Sequence, residues 1–212
     1  MRRRRSTDEL ETVVSVDLTS RTDPTPDEAV APLSRSDPSS LPSPRVLQRN
    51  ERRRLARQDR IAARLAELHH LELLLSEAAT VVSTGWVQHG WFAVADELHG
   101  TRILSAHDLQ ALESRPVVGA CLVGAVVHAA GGPPSVHSQL VQRALDLTWH
   151  TLHEDARRPV HWCPAPPVRA AHVRDLTRWN DHPKRTADQV TALLEDTARS
   201  AAVQAAEVHA AC

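Results

Sequence analysis

The last quarter of the chain leaves the fewest folding options. Val190, Leu193, Leu194, Ala198, Ala201, Ala205 and Val208 recur at three and four, the spacing of one buried helical face. Thr186 stands where the N-cap of that helix belongs, and Gln189, three residues on, completes a capping box. Just upstream, Trp179-Asn180-Asp181-His182-Pro183-Lys184-Arg185 packs a large ring, two short polar side chains and a proline into one connection. Read structurally, Trp179 plugs the core, Asn180 or Asp181 satisfies backbone groups left open at the turn, and Asp181 pairs with Arg185. Read functionally, Lys184 and Arg185 flank a helix N-terminus, where free N–H groups and the dipole attract phosphate or a nucleic-acid backbone.

The rest of the chain points to helix as well. Alanine, valine and leucine dominate the apolar residues, tyrosine is absent, and Phe92 is the sole phenylalanine beside five tryptophans. Arginine outnumbers lysine overwhelmingly, with Lys184 the only lysine, a bias that GC-rich coding explains. A formal net charge of −1 excludes a whole-molecule polycation, so attraction to nucleic acid must come from a local patch. Three widely spaced cysteines do not suit a secreted disulfide framework. The polar residues after Arg2–Arg5 do not suit a secretory leader, and the apolar run 117–130 falls short of the roughly 20 residues that span a bilayer. These features imply a cytoplasmic protein with no membrane partner.

Periodicity and punctuation then divide the chain. Residues 1–45 alternate acids, arginines, serines and prolines and read as a disordered arm. A long helix is predicted from about Val46 to Thr80. Its first part, 46–67, is amphipathic and Arg-rich, with Arg53, Arg57, Arg60 and Arg64 in one stripe beside Leu55, Ile61, Ala62, Leu65 and Leu68. Trp91–Ala95 and Arg102–Leu104 suit a short hairpin turning at His99-Gly100-Thr101. Ser105 opens a short helix ended by Pro116, and Val117–Ala130 reads as one apolar helix in which Ala120 and Gly124 would admit a neighbouring helix. A further helix runs from Ser135 to about Ala156, residues 157–168 form a proline-rich loop, and a short helix leads into Leu176 and Trp179. The expected fold is mainly α: a bundle of about five or six helices over residues 68–212 with a short β-hairpin, preceded by the arm and the Arg-rich helix.

In order, the chain presents Gly85-Trp86, Gly90-Trp91-Phe92-Ala93, Cys121-Leu122-Val123-Gly124-Ala125 and Trp179-Asn180-Asp181 with Arg185-Thr186 and Val190. This series resembles the bacterial domain of unknown function 6197 over about residues 68–200. Position 120 is alanine where members often carry tryptophan, and a Trp-Cys pair stands instead at Trp162-Cys163. The resemblance implies a fold and transfers no catalytic or binding residue.

Three constellations carry chemistry. The stripe of Arg53, Arg57, Arg60 and Arg64 covers roughly 17 Å at 1.5 Å per residue, the reach needed to contact several phosphates, against the blander reading of a solvated or self-pairing face. His150 and His153, one helical turn apart, together with His161 and Cys163 make a weak zinc set, because paired Cys-x-x-Cys spacing is absent. Cys121, His89 and Asp96 contain the parts of a Cys-His enzyme, but Cys121 lies in the most apolar stretch of the chain. The reading preferred is a non-enzymatic accessory or regulatory binding domain without a cofactor, contacting nucleic acid or another protein through 46–67. A small hydrolase or metal-dependent enzyme built on the His/Cys-rich centre is the alternative, and a protein assembly module is a third.

Overall fold

Leucine and alanine at three- and four-residue spacing build helix α1, Pro44–Thr84, in which Leu68, Leu71, Leu75, Ala78 and Val82 are buried. The structure is a computed structural model and describes residues 44–96, 100–106, 108, 115–153 and 165–211. The expected arm therefore lies, but for its last two residues, outside the described residues. The boundary expected at 67/68 falls inside one uninterrupted helix. No helix of the described residues is long and apolar enough to cross a membrane.

After α1 come β1 (Phe92–Asp96), β2 (Gly100–Leu104) and β3 (Val117–Ala120), then α2 (Leu122–Ala129), a 3-10 turn (Pro133–Ser135), α3 (Gln139–His153), α4 (Pro166–Asn180) and α5 (Ala187–Ala210). The three strands form an antiparallel sheet in the order β2-β1-β3. The predicted hairpin is its β1–β2 half, with Phe92 opposite Leu104 and Asp96 opposite Gly100. Gly100 takes a φ of +79°, which favours glycine. The bundle is mainly helical, as expected, with five α-helices among the described residues.

Four sequence expectations are corrected. Val117–Ala130 is not one helix. The β-branched pair Val117-Val118 joins the free edge of β1, and Cys121 then starts α2 as its N-cap, its sulfur accepting the Gly124 N–H. The close approach at Gly124 is made by the Trp91 backbone rather than by a helix. Helix α4 begins at Pro166, two residues before the predicted loop ends, because Pro166 and Pro167 preset helical φ in the first turn, where an N–H is not needed. The short helix expected after Ser105 is described only at its start, where the Ser105 amide and hydroxyl both donate to Asp108 Oδ2. α3 starts later than predicted, with the Ser138 hydroxyl accepting the Val141 N–H.

At the C-terminal end the capping box forms as read. Gln189 N–H donates to Thr186 Oγ1 and Thr186 N–H to Gln189 Oε1, both at 3.3 Å. Below the cap, α5 lies along α1 and buries Val190, Leu194, Ala198 and Ala201. Phe92, Leu122, Val126, Leu147 and Leu176 fill the remaining core.

Candidate nucleic-acid interface

The arginine stripe is a continuation of the core face. At 100° per residue, Arg53, Arg57, Arg60 and Arg64 lie on the same meridian of α1 as Leu68, Leu71, Leu75, Ala78 and Val82. The bundle ends before the helix does. Residues 48–60 are exposed at every position, so the N-terminal part of α1 overhangs the C-terminal end of α5. Arg53, Arg57, Arg60 and Arg64 line an open recess of about 690 Å³ there, closed by Ile61 and Val208. Residues 45–64 hold eight arginines against Glu51 and Asp59.

Arg64 forms the root of the overhang. It reaches Glu67 Oε2 at 3.2 Å and Gln204 Oε1 at 3.4 Å, and partial burial lowers its pKa from the ordinary arginine value. Arg143 of α3 pairs with the same Glu67, and with Arg60 and Arg64 it borders an adjoining recess of about 500 Å³. Sequence reasoning missed Arg143. Arg54 bonds Glu51 within the helix, and the Arg60 Nε donates to the Ala56 carbonyl. The C-terminus of α5 points its carbonyls toward this end of the molecule, a favourable setting for cations.

Lys184 and Arg185 do not join this surface. Thr186 caps one end of α5 and Val208 borders the recess at the other, a separation of about 33 Å along the helix. Nor does Arg185 wait for an anion. Its guanidinium lies 3.7 Å from the centre of the Trp179 ring, donates to the Trp179 carbonyl and bonds Gln189. The expected Asp181–Arg185 pair is replaced by these contacts, and the capping box takes up donors that an anion would need. Trp179 is half-buried against the core under that guanidinium, not a plug within it.

Asn180 is the structural centre of the motif. Fully buried, its Oδ1 accepts from Trp86 Nε1 at 3.0 Å and from the Leu122 N–H at 3.1 Å. Its Nδ2 donates to the Val87 carbonyl at 3.2 Å and to Asp181 Oδ1 at 2.9 Å. Asp181 in turn accepts the N–H of His89, a residue held at a φ of +60°. One amide thus ties the end of α4 to the first turn of α2 and to segment 85–89. The backbone groups satisfied are distant ones, not those of its own turn.

The Cys-His set does not assemble, and only His150 and His153 of the zinc set lie among the described residues. His89 is exposed beside Asp181, and Asp96 pairs with Arg115 at 3.0 Å. Phe92 sits opposite Ala120, so Asp96 lies about 13 Å along the strand from Cys121. Burial pushes the Cys121 thiol up to about 12, so no thiolate forms near neutrality. In a Cys163→Ser/Cys212→Ser background, Cys121 is therefore expected to resist a disulfide reagent at about pH 8 until the protein is unfolded. A folded-state reaction at the rate of a free thiol would contradict that burial. His150 and His153 gather around the Trp149 ring, while His161 and Cys163 lie outside the described residues. Among the described residues no group of three or more His, Cys, Asp or Glu is placed to hold a metal ion.

Residues 68–200 match the family described as "Family of unknown function (DUF6197)". The chain belongs to this family. The DUF6197 match begins at Leu68, the residue of α1 at which burial becomes nearly complete, so the arginine overhang precedes it. It includes the Asn180 junction, Arg143 and most of α5. No curated protein and no solved structure matches the chain.

Proposed function

We propose that this DUF6197 protein is a non-enzymatic binding domain whose arginine overhang holds the sugar-phosphate backbone of a nucleic acid. One observation carries the reading: Arg53, Arg57 and Arg60 continue the core meridian of α1 beyond the bundle and, with Arg64 at their root, face a recess instead of a packed interior. Their span of about 17 Å covers roughly five base steps at 3.4 Å per step. Guanidinium groups suit phosphate because their donors form a planar fork. Backbone contacts of this kind supply affinity without sequence information.

Titration of a duplex of about 20 base pairs across a salt series tests it. Four phosphate contacts give a slope of log K against log salt near −3.6, at about −0.9 per contact. The triple variant Arg53→Gln/Arg57→Gln/Arg60→Gln is expected to flatten the slope to about −1 and weaken binding at low salt at least roughly 30-fold. Its thermal stability should stay at the parent value, since all three side chains are exposed. Absence of binding at about 50 mM salt, or an unchanged triple variant, would remove the proposal.

A further inference from the structure

A second site, unrelated to the arginine recess, lies between α2, α3 and α4. There a cavity of about 440 Å³ is walled chiefly by Trp91, Val123, Val127, Leu145 and Val173. One part of the wall is polar: His137 before α3, Gln142 and Asp146 from α3, and Arg169 from α4. Asp146 is 3 % exposed, although it interrupts the apolar series Ala144, Leu145, Leu147. Its Oδ1 is 3.0 Å from His172 Nδ1, and its Oδ2 is 3.8 Å from Arg169 Nε. Arg169 Nη1 also donates to Gln142 Oε1. Behind this layer His172 stacks on Trp149 at 4.0 Å, and Trp149 Nε1 donates to Asp175.

Such a network could serve only to align α3 with α4, since buried ion pairs can fix register. The cavity argues for more. An apolar pocket of several hundred cubic ångströms with a few convergent polar groups is the usual form of a small-molecule site. The chemistry of the wall selects the ligand. With His137 and His172 counted as neutral, the carboxylate and the guanidinium cancel in charge, so a charged guest would be desolvated with no net counter-charge to meet it. Side by side they offer an acceptor and a donor, the complement of a neutral amide. Trp91 and the valines provide surfaces for a flat ring.

We propose that this cavity binds an uncharged aromatic molecule bearing an amide or lactam group, held by Asp146 and Arg169. Polar wall groups that lock one another in place need little reordering on binding, which limits the entropy cost.

Calorimetry on the full chain with benzamide, benzoate and benzylamine tests the proposal, because the three are near-isosteric and differ in charge. Benzamide is expected to bind with a Kd of about 0.1–1 mM, and the two charged probes at least about tenfold more weakly. Val127→Phe fills the cavity and should abolish benzamide binding. Ala170→Leu narrows it from an exposed rim position and should weaken binding about tenfold even if Val127→Phe does not fold. Asp146→Asn keeps the shape but removes the charge balance, and should favour benzoate over benzamide. The idea is overturned if benzamide fails to bind at about 10 mM, if benzoate or benzylamine binds as well, or if Ala170→Leu leaves binding unchanged. Duplex binding should be unaffected by all three variants, so this site and the arginine overhang stand or fall separately.

Discussion

Asn180→Ala is expected to lower the unfolding free energy by about 4 kcal/mol. The loss comes from what the truncation leaves behind. Trp86 Nε1, the Leu122 N–H and the Val87 carbonyl all lose the same partner, each at about 1–2 kcal/mol when stranded away from water. A small cavity adds to the cost. Asn180→Asp separates shape from donors, because the acceptor remains while the two donations disappear and a carboxylate is placed beside Asp181. Burial and the neighbouring negative charge raise the folded-state pKa of the introduced group above its unfolded value. Its stability deficit is therefore smaller in acid, grows as pH rises through the unfolded value near 4, and is largest once pH exceeds the raised value. Urea unfolding at about pH 5 and about pH 8 reads both the size and the sign. An Asn180→Ala protein within about 1 kcal/mol of the parent would show that the junction is not held by this amide.

This substitution and the arginine triple variant divide the molecule's two kinds of polar motif. Asn180 should change stability, and Arg53, Arg57 and Arg60 should change only binding. Their sequence contexts do not announce that division. Both are clusters of polar residues next to a helical apolar pattern, and Lys184-Arg185 had an equal claim as an anion site. The structure separates them by position: Arg185 is folded over Trp179 and bonded to Gln189, whereas Arg53, Arg57 and Arg60 are exposed along a recess, with Arg64 held at its root by Glu67 and Gln204.

The legible parts of the fold are those specified by near neighbours. The α5 face, the Thr186–Gln189 box, the long α1 and the β1–β2 hairpin all follow from residues within a few positions of one another. Val117–Ala130 was illegible because an unbroken apolar run fits a buried strand and a buried helix equally well. What decided it was the open edge of β1, more than twenty residues away. The Asn180 bonds cross 58 to 94 residues, so only its position in a turn could be read, not its partners. The meridian of the arginines was available in principle, since the same angular count carried on to Val82 places them in line with the core leucines. Asp146 left one signal, an acid on the inner face of α3, and its meaning needed His172 and Arg169 from the next helix.

Gly124→Ala is expected to cost about 3 kcal/mol and to lower the melting temperature by about 10 °C, although it adds a single methyl group to a helix. Helix propensity alone would make the change favourable by nearly 1 kcal/mol. Sterics reverse the sign. A Cβ at position 124 would stand 2.1 Å from the Trp91 carbonyl oxygen and 2.9 Å from its carbon. That carbonyl is not free to retreat, because it accepts the Cys121 N–H at 3.0 Å while the Trp91 N–H donates to the Leu104 carbonyl at 2.8 Å. The strand entry is thus pinned between β2 and the start of α2, and relief requires α2 to shift away from the sheet. Such a shift would move Val123 and Val127 relative to Trp91, so the variant should also lose affinity for benzamide while binding duplex normally. If Gly124→Ala instead unfolds with the parent, the backbone contact at Trp91 has enough slack to admit a side chain. The wall of the α2–α3–α4 cavity would then be softer than selection of a flat, uncharged guest requires.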